Sequence, residues 1–286
     1  MGYSPIKLDK ISQYLMYYPK KEESKMIYDG FKYGFYINYN GPRHPFDSKN
    51  LKSVLSNPEG ARLKIESEII AGRIVGPFDT RPISNLRCSP IGLIPKKTGG
   101  IRLITHLSYP SANSVNDFID KHYTSVKYSS FDNAISMVQR IGKNAELGKM
   151  DLKSAFRLLP VYPGDYDLLG FKIEEKFYID KCMPMGCSVS CATFERFSTF
   201  LHWVIENKSG SKNIDHYLDD FLFGGEKGTN ECKNLMLQFE KNCNEIGVPI
   251  VNEKTEGPST IIEYLGLTID TVNMLIKFLR KKFKTY

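Results

Sequence analysis

The chain has 286 residues, of which 41% are hydrophobic and 25% are charged, so it can bury a substantial core in one or two domains. Its net charge of +7 suits a phosphate-rich partner without requiring one. No apolar run is long enough to cross a bilayer, and the N-terminus has no hydrophobic signal core. We therefore predict an intracellular protein of the cytoplasm or nucleus, not secreted, with reduced cysteines and no membrane partner.

The first clear secondary-structure signal lies after residue 56. Residues 1–60 show only weak periodicity, with a polar loop near 41–45. Asn57-Pro58 predicts the start of a helix that extends to Gly72, because proline suits the first helical turn. Four side chains supply its predicted apolar face: Leu63, Ile65, Ile69 and Ile70.

Short strands and helices alternate through the rest of the chain. Residues 77–90 are predicted to form a loop, and a basic turn at Lys96–Gly100 separates two strands. The predicted strands are 91–94, 101–104, 147–152, 168–173, 176–179, two within 214–225, and two near 248–251 and 263–269. The predicted helices are 132–141, 188–205 and 230–246. Helices on one face of an antiparallel sheet indicate an α+β fold.

Three aspartates carry the predicted chemistry. In Tyr217-Leu218-Asp219-Asp220, two adjacent carboxylates lie between two short predicted strands. Such a pair offers the hard oxygen ligands that Mg²⁺ prefers, although an isolated Asp-Asp is more often only a turn signal. Asp151 follows another predicted strand, and taken alone it would be a helix N-cap. If the two strands are neighbours in a sheet, the three carboxylates make a two-metal cluster.

A set of motifs in order resembles the fingers and palm of a reverse transcriptase, most closely those of the DIRS-like retrotransposons. Asp151–Phe156 resembles the first palm motif, Met183–Ser190 the motif that opens the template-contacting helix, and Tyr217–Asp220 the catalytic hairpin. The match begins near residue 14, and its other motifs are Gly247 with Lys254-Thr255, Tyr264-Leu265-Gly266, Gly76-Pro77-Phe78, Ser89–Lys97, Arg102-Leu103-Ile104 and Ser114–Asp117.

The resemblance implies a metal site and a set of partners. Asp151, Asp219 and Asp220 would be catalytic and would bind two Mg²⁺ ions together with the carbonyl of Leu152, with Mn²⁺ as a substitute. One metal would activate the primer 3′-hydroxyl and the other would neutralise the triphosphate. The implied partners are an RNA or DNA template with its primer, and deoxynucleoside triphosphates.

The resemblance also implies which residues contact the nucleotide and the primer. The nucleotide-binding residues would be Lys96 (or Lys97), Arg102, Phe156, Met185, Gly186 and Lys254. The primer and template residues would be Tyr217, Leu218, Tyr264, Leu265 and Gly266. Some of them have a simpler alternative: the lysines could lie on the solvated surface, Phe156 could be a core aromatic residue, and Leu265 and Gly266 could serve strand packing.

The implied architecture is a right-hand polymerase in which a ferredoxin-like antiparallel palm sheet is backed by helices and joined to a fingers subdomain. Fingers are predicted at 1–125 and 158–184, palm at 126–157 and 185–273, and the start of a truncated, largely absent thumb at 274–286. His106 stands where relatives usually carry Asp.

Two alternatives stay open for the activity. The first is a truncated or degenerate fragment that binds nucleic acid without efficient catalysis. The second is an RNA-directed RNA polymerase, against which stand Leu218, in place of the usual Gly, and the bulky Phe156.

Overall fold

The structure, a computed structural model, describes residues 1–96 and 99–278. Its helices are α1 (Leu8–Leu15), α2 (Lys21–Tyr33), α3 (Lys52–Leu55), α4 (Pro58–Ile70), α5 (Lys121–Thr124), α6 (Phe131–Ile141), α7 (Val189–Ser209) and α8 (Glu231–Ile246). Its strands are β1 (Phe46–Asp47), β2 (Ile74–Phe78), β3 (Arg87–Cys88), β4 (Ile91–Pro95), β5 (Ile101–Thr105), β6 (Glu146–Asp151), β7 (Gly170–Ile173), β8 (Lys176–Asp180), β9 (Ile214–Tyr217), β10 (Asp220–Gly225), β11 (Glu256–Ser259), β12 (Ile261–Tyr264), β13 (Leu267–Asp270) and β14 (Leu275–Phe278). Helices and mainly antiparallel sheets make the predicted mixed α+β fold.

The chain divides into two compact units. The first contains residues 1–126 and 154–194, and the second contains 127–153 and the described residues from 195 onward. Helix α7 begins in the first unit and continues in the second. Among the described residues, no helix is both long enough and apolar enough to span a bilayer. All six cysteines carry free thiols.

In the first unit, a five-stranded sheet has the order β1-β3-β7-β8-β2, and β4 and β5 form a separate hairpin. Helix α4 contributes Ala61 and Ile65 to a buried cluster that also contains Phe171. The Asn57 side chain accepts a hydrogen bond of 2.9 Å from the Gly60 N–H, which satisfies one of the unpaired donors of the first turn. The helix therefore starts where Asn57-Pro58 predicts.

The predicted apolar face of α4 was only partly right. Ile65 is 1% exposed, whereas Leu63 is 57% and Ile70 is 88% exposed. At 3.6 residues per turn, Leu63 and Ile70 share one stripe of the helix, while Ala61 and Ile65 lie on the opposite stripe. The stripe with the smaller side chain is the one that faces the core.

In the second unit, a four-stranded antiparallel sheet has the order β11-β6-β10-β9. Helix α8 packs on β10, where Phe239 contacts Phe221 and Phe223 with ring centroids 4.4 and 5.2 Å apart. All three rings are fully buried. Buried aromatic rings of this size anchor the central strand of the sheet.

A second sheet of this unit contains β12, β13 and β14, and here two strand predictions were wrong. Residues 248–251 make only an isolated bridge between Leu152 and Ile250. Residues 263–269 are not one strand but parts of two, because the chain turns at Leu265 and Gly266, whose φ angles are +48° and +82°. Within the predicted thumb start, Leu275–Phe278 forms β14, and 279–286 lie outside the described residues.

Other sequence predictions differ from the structure in detail. Helices α1 and α2 lie within the first 60 residues, where the sequence pattern is weak, and they bury Ile11 and Phe31. Asp151 ends a strand and is not an N-cap, and a short 3₁₀ helix, Ala155–Leu158, follows it. Strands β4 and β5, the hairpin of β7 and β8, and helices α6, α7 and α8 confirm their predictions to within a few residues.

Candidate metal centre

The hairpin that the sequence predicts to be catalytic is formed by β9 and β10, which are joined by Leu218 and Asp219. Tyr217 and Asp220 are cross-strand partners on either side of this turn. The β-branched and aromatic residues that flank the turn favour strands, which explains why the chain forms a hairpin here. Leu218 adopts a φ of +54°, a left-handed conformation that is unfavourable for a side chain branched like leucine. The two carboxylates therefore lie at a tight turn with a strained residue in front of them.

Asp151 lies opposite this hairpin. It ends β6, and its Cα partner in the antiparallel pair with β10 is Asp220. The Leu152 N–H donates to the Asp219 carbonyl over 2.9 Å, which ties the end of β6 to the turn. Since the N–H and C=O of an extended residue point the same way, the Leu152 carbonyl also faces the hairpin. The structure thus brings together all four predicted metal ligands: Asp151, Leu152, Asp219 and Asp220.

Lys254 supplies a cation to these carboxylates. Its Nζ lies 2.6 Å from Oδ2 of Asp151. Burial alone would lower the pKa of Lys254, but the hydrogen bond to Asp151 and the nearby carboxylates raise it. The ammonium therefore stays protonated at neutral pH. Lys254 is also a surface lysine, as the sequence alternative has it, since its side chain is 48% exposed.

The site carries more negative charge than one lysine neutralises. Burial raises the pKa of Asp220 to about 7, and the charges of Asp219 and Asp151 act in the same direction. Lys254 opposes this shift. Crowded carboxylates that resist ionisation are typical of sites that take up a cation.

The donor types fit Mg²⁺, because carboxylate and carbonyl oxygens are its preferred protein ligands. As arranged here, no group of three or more His, Cys, Asp and Glu side chains within residues 1–96 and 99–278 is able to hold a metal ion. Oδ2 of Asp151 accepts a hydrogen bond from Lys254, so the lysine and a metal ion would share this carboxylate.

The predicted primer residues lie in two hairpins, β9–β10 and β12–β13. Tyr217 packs its ring against Tyr128 with centroids 4.9 Å apart. Leu265 and Gly266 form the turn between β12 and β13, and Leu265 is 37% exposed. Tyr264 is buried, and its hydroxyl lies 3.5 Å from the carbonyl of Asp220. The structure therefore places Tyr264 in the core, while Leu265 and Gly266 lie in the turn that follows it.

In the first unit, the β4–β5 hairpin carries two of the predicted nucleotide-binding residues. Arg102 pairs with Ile94 across the hairpin, and Lys96 donates its N–H to the Gly100 carbonyl over 3.0 Å. Both side chains are exposed near the tip of the hairpin. The alternative residue, Lys97, lies outside the described residues.

Phe156 lies in the 3₁₀ helix of the first unit and is half-buried. Its ring meets that of Phe194 edge-on, with centroids 5.7 Å apart. The preceding residues, Ser154 and Ala155, have positive φ angles of +69° and +21°. This strained segment is the reason that no regular α-helix follows Asp151.

Met185 and Gly186 form a loop that the rest of the first unit holds closely. The Met185 carbonyl accepts the Thr105 N–H over 2.9 Å. Gly186 has a φ of +116°, and a Cβ on it would lie 1.9 Å from the Thr105 carbonyl oxygen. The glycine is thus required by an approach of backbone to backbone within the protein, rather than only by the predicted approach to nucleic acid.

The sequence analysis assigned no role to two polar residues, Asn116 beside the Gly186 loop and Glu195 beside the β9–β10 turn. Asn116 donates to the Gly186 carbonyl over 2.8 Å and accepts the Ser188 N–H over 2.9 Å. Glu195 accepts the Leu218 N–H over 3.2 Å. The available signal was a glutamate within a largely apolar helix, which suggests a specific buried partner.

Comparisons with known proteins identify the family of the chain and a similar fold. The family described as Reverse transcriptase (RNA-dependent DNA polymerase) matches residues 94–269, more than half of the chain. The Transposon Tf2-3 polyprotein of Schizosaccharomyces pombe (strain 972 / ATCC 24843) is 25% identical over 214 residues. That match covers 74% of this chain and 15% of the relative, so the chain spans about a seventh of the length of its curated relatives.

Solved structures show a similar fold. A foamy viral protease-reverse transcriptase in complex with double-stranded DNA has a TM-score of 0.59 at 17% identity, covering 92% of this chain and 46% of that one. The same type of viral protein in complex with an RNA/DNA hybrid has a TM-score of 0.57 at 17% identity, covering 92% and 35%. At this identity the similarity concerns the fold alone.

Proposed function

Because the chain belongs to the reverse transcriptase family, we propose that it is the part of a retrotransposon protein that carries out RNA-directed DNA synthesis. The observation that carries the proposal is the register of β6 and β10, which makes Asp151 and Asp220 cross-strand partners beside Asp219. The reaction adds a deoxynucleotide to the 3′-hydroxyl of a primer annealed to an RNA or DNA template.

Asp151, Asp219, Asp220 and the Leu152 carbonyl would hold two Mg²⁺ ions, or Mn²⁺ in their place. When bound, such ions activate the primer hydroxyl and stabilise the charge that moves to pyrophosphate. Lys254 keeps a proton on Nζ beside Asp151, where a cation balances negative charge. The remaining work of the chain is binding and orientation, which is the main contribution of proteins to phosphoryl transfer.

The other predicted residues would bind the substrates. Lys96 and Arg102, exposed on their hairpin, would bind the triphosphate, and Arg102 suits bidentate phosphate contacts. The Phe156 ring would exclude a 2′-hydroxyl and so select deoxynucleotides. Met185 and Gly186 would contact the nucleotide and template, while Tyr217, Leu218, Leu265 and Gly266 would position the primer. Tyr264 would support the last two from the core.

The division of the chain supports a fingers and palm assignment. We propose fingers at 1–125 and 158–184, and a ferredoxin-like palm at 126–157 and 185–273. Helices α6 and α8, which pack beside the four-stranded antiparallel sheet of the second unit, support the palm assignment. The start of a thumb at 274–286, the DIRS-like subgroup and an intracellular location are also proposals, supported by the order of the motifs and the free thiols.

The direct test is primer extension on an RNA template with dNTPs and Mg²⁺ or Mn²⁺. Asp219→Asn should lower the rate at least about 100-fold while the thermal unfolding temperature stays close to that of the wild type, because a ligand is lost without loss of packing. Asp132→Asn, an exposed aspartate of α6, is the matched control and should extend normally.

Two outcomes would contradict the proposal. Equal rates of primer extension by the wild type and Asp219→Asn would rule out the proposed metal site. A folded wild type that binds primer-template but extends nothing would favour a fragment that binds nucleic acid without catalysis. Incorporation of ribonucleotides as readily as deoxynucleotides would count against the role of Phe156.

A further inference from the structure

Glu195 is a buried carboxylate beneath the catalytic hairpin. It lies on α7 and is 6% exposed. Its Oε2 accepts the backbone N–H of Leu218 over 3.2 Å, a contact between residues 23 positions apart. A buried carboxylate is unfavourable unless hydrogen bonds and charge compensate it. The buried Glu195 carboxylate is therefore compensated by a specific partner, which is the turn that carries Asp219.

The Leu218 peptide is the part of the hairpin that needs support. Leu218 holds a φ of +54°, which is unfavourable for a residue other than glycine. Its neighbours Tyr217 and Asp220 are paired across the hairpin, so the turn residues depend on other contacts. An acceptor on a long helix fixes the Leu218 N–H from outside the turn and so fixes the peptide between Tyr217 and Leu218, one residue ahead of Asp219.

Two histidines lie beyond Glu195. Nε2 of His216, on β9, lies 3.2 Å from Oε1 of Glu195 without making a hydrogen bond to it. Nδ1 of His216 lies 2.8 Å from Nδ1 of His202, so one of these nitrogens carries the shared proton. Nε2 of His202 in turn lies 3.5 Å from Oε1 of Glu206, one turn further along α7.

The order of these groups restricts how Glu195 can move. His216 stacks on the buried Phe221 ring with centroids 5.3 Å apart, so the imidazole is held from its face. Glu195 and His202 lie seven residues apart on one stripe of the same helix. The carboxylate is consequently held between a rigid helix and a packed strand, which suits a group that sets the position of another.

We propose that Glu195 is a positioning residue for the catalytic hairpin, which holds the strained Leu218 peptide so that Asp219 is presented beside Asp151 and Asp220. This rests on the proposed function, since the benefit of the arrangement is the geometry of the metal ligands. Glu195 touches neither substrate nor metal in this role.

The test compares Glu195→Met with Glu195→Gln. Methionine has a similar length but no acceptor, whereas glutamine keeps an oxygen that can accept the Leu218 N–H. Glu195→Met should lower kcat of primer extension at least about 10-fold with little change in KM for primer-template, and Glu195→Gln should retain most of kcat. Glu226→Gln, at an exposed position of the same unit, is the matched control and should leave kcat near the wild-type value.

Hydrogen exchange of the Leu218 amide gives a readout that does not depend on activity. The amide should be protected in the wild type and in Glu195→Gln, and should exchange at least about 10-fold faster in Glu195→Met. A wild-type Leu218 amide that exchanges freely would overturn the proposal even if Glu195→Met does not fold. Normal kcat in a folded Glu195→Met would overturn it as well.

A double variant tests the cause. Glycine adopts positive φ without cost, so Leu218→Gly should reduce the effect of Glu195→Met when each is compared with its own parent. An equally large effect of Glu195→Met in the Leu218→Gly background would contradict the proposal that Glu195 supports a strained residue. If the wild type itself extends no primer, the proposed function fails, whereas the Leu218 exchange still decides whether Glu195 holds the turn.

Discussion

At the scale of single residues, the site gathers like charges and then compensates them. Asp151, Asp219 and Asp220 meet at the ends of two strands, and Lys254 neutralises one carboxylate directly. The cost of bringing carboxylates together is visible in the pKa of Asp220, which burial and its two neighbours raise to about 7. Carboxylates crowded in this way are unfavourable for the packing of the protein and favourable for binding a cation.

Glu206 provides a residue-scale prediction about pH. Hydrogen bonds and charge interactions with His202 and Lys212 lower the pKa of its carboxyl to about 2, although burial acts in the opposite direction. A depressed pKa stabilises the fold above the unfolded value of about 4.3, and this contribution is lost as the pH falls from about 4 to about 2. Urea unfolding should therefore show a weaker loss of stability in this window for Glu206→Gln than for the wild type.

Lys212→Met supplies the companion variant, because it removes one of the two partners. As the pH falls from about 4 to about 2, Lys212→Met should lose less stability toward urea than the wild type but more than Glu206→Gln. Identical pH slopes for the wild type and Glu206→Gln would contradict the assignment.

At the scale of elements, register and loop support decide the site. Asp220 opposes Asp151 because β10 and β6 pair without a slip, and a shift of one residue would turn Asp220 to the other face of the sheet. The loop ahead of α7 is held in a different way, by side-chain hydrogen bonds. Asn116 bonds both the Gly186 carbonyl and the Ser188 N–H, so one amide spans the loop.

Asn116→Ala tests this loop. The loss of three side-chain hydrogen bonds, to Ser108, Gly186 and Ser188, should destabilise the protein by about 1–3 kcal/mol and raise KM for the dNTP several-fold, because Met185 and Gly186 lose their support. Thermal unfolding and steady-state primer extension measure the two effects. Asn113→Ala, at an exposed position nearby, is the control and should change neither value. An unchanged KM in Asn116→Ala would separate the loop from nucleotide binding.

At the scale of the whole molecule, the net charge of +7 predicts how nucleic acid is bound. Contacts with phosphates release counterions, so the affinity for primer-template should fall as salt rises, with a log–log slope of about −0.9 for each phosphate neutralised on duplex DNA. The same slope should be found for duplexes of different sequence, because the template supplies the sequence information by base pairing. Fluorescence anisotropy at several salt concentrations measures it.

Arg102→Gln should make this slope less steep, whereas Asp132→Asn should not. An affinity that does not depend on salt, or that depends strongly on sequence, would contradict binding through phosphates.

Much of the fold follows from local signals, and the failures have local causes too. Asn57-Pro58 predicts the start of α4 because a cap and a first-turn proline act within four residues. The face that α4 buries was partly mispredicted, since Leu63 and Ile70 are as apolar as Ile65 and only the neighbouring sheet selects between the stripes. The residues of 263–269 favour β structure and so predict one strand. The turn at Leu265-Gly266, where both φ angles are positive, divides the segment between two strands.

The sequence by itself determined the kinds of residue at the site and the elements that carry them. Asp151 and Asp219-Asp220 stand at strand ends because the adjacent β-forming residues and turns act over a few positions of chain. Only the tertiary structure decided which distant groups support them. Lys254 reaches Asp151 across 103 positions and Glu195 reaches Leu218 across 23, and such contacts depend on packing that no local pattern encodes.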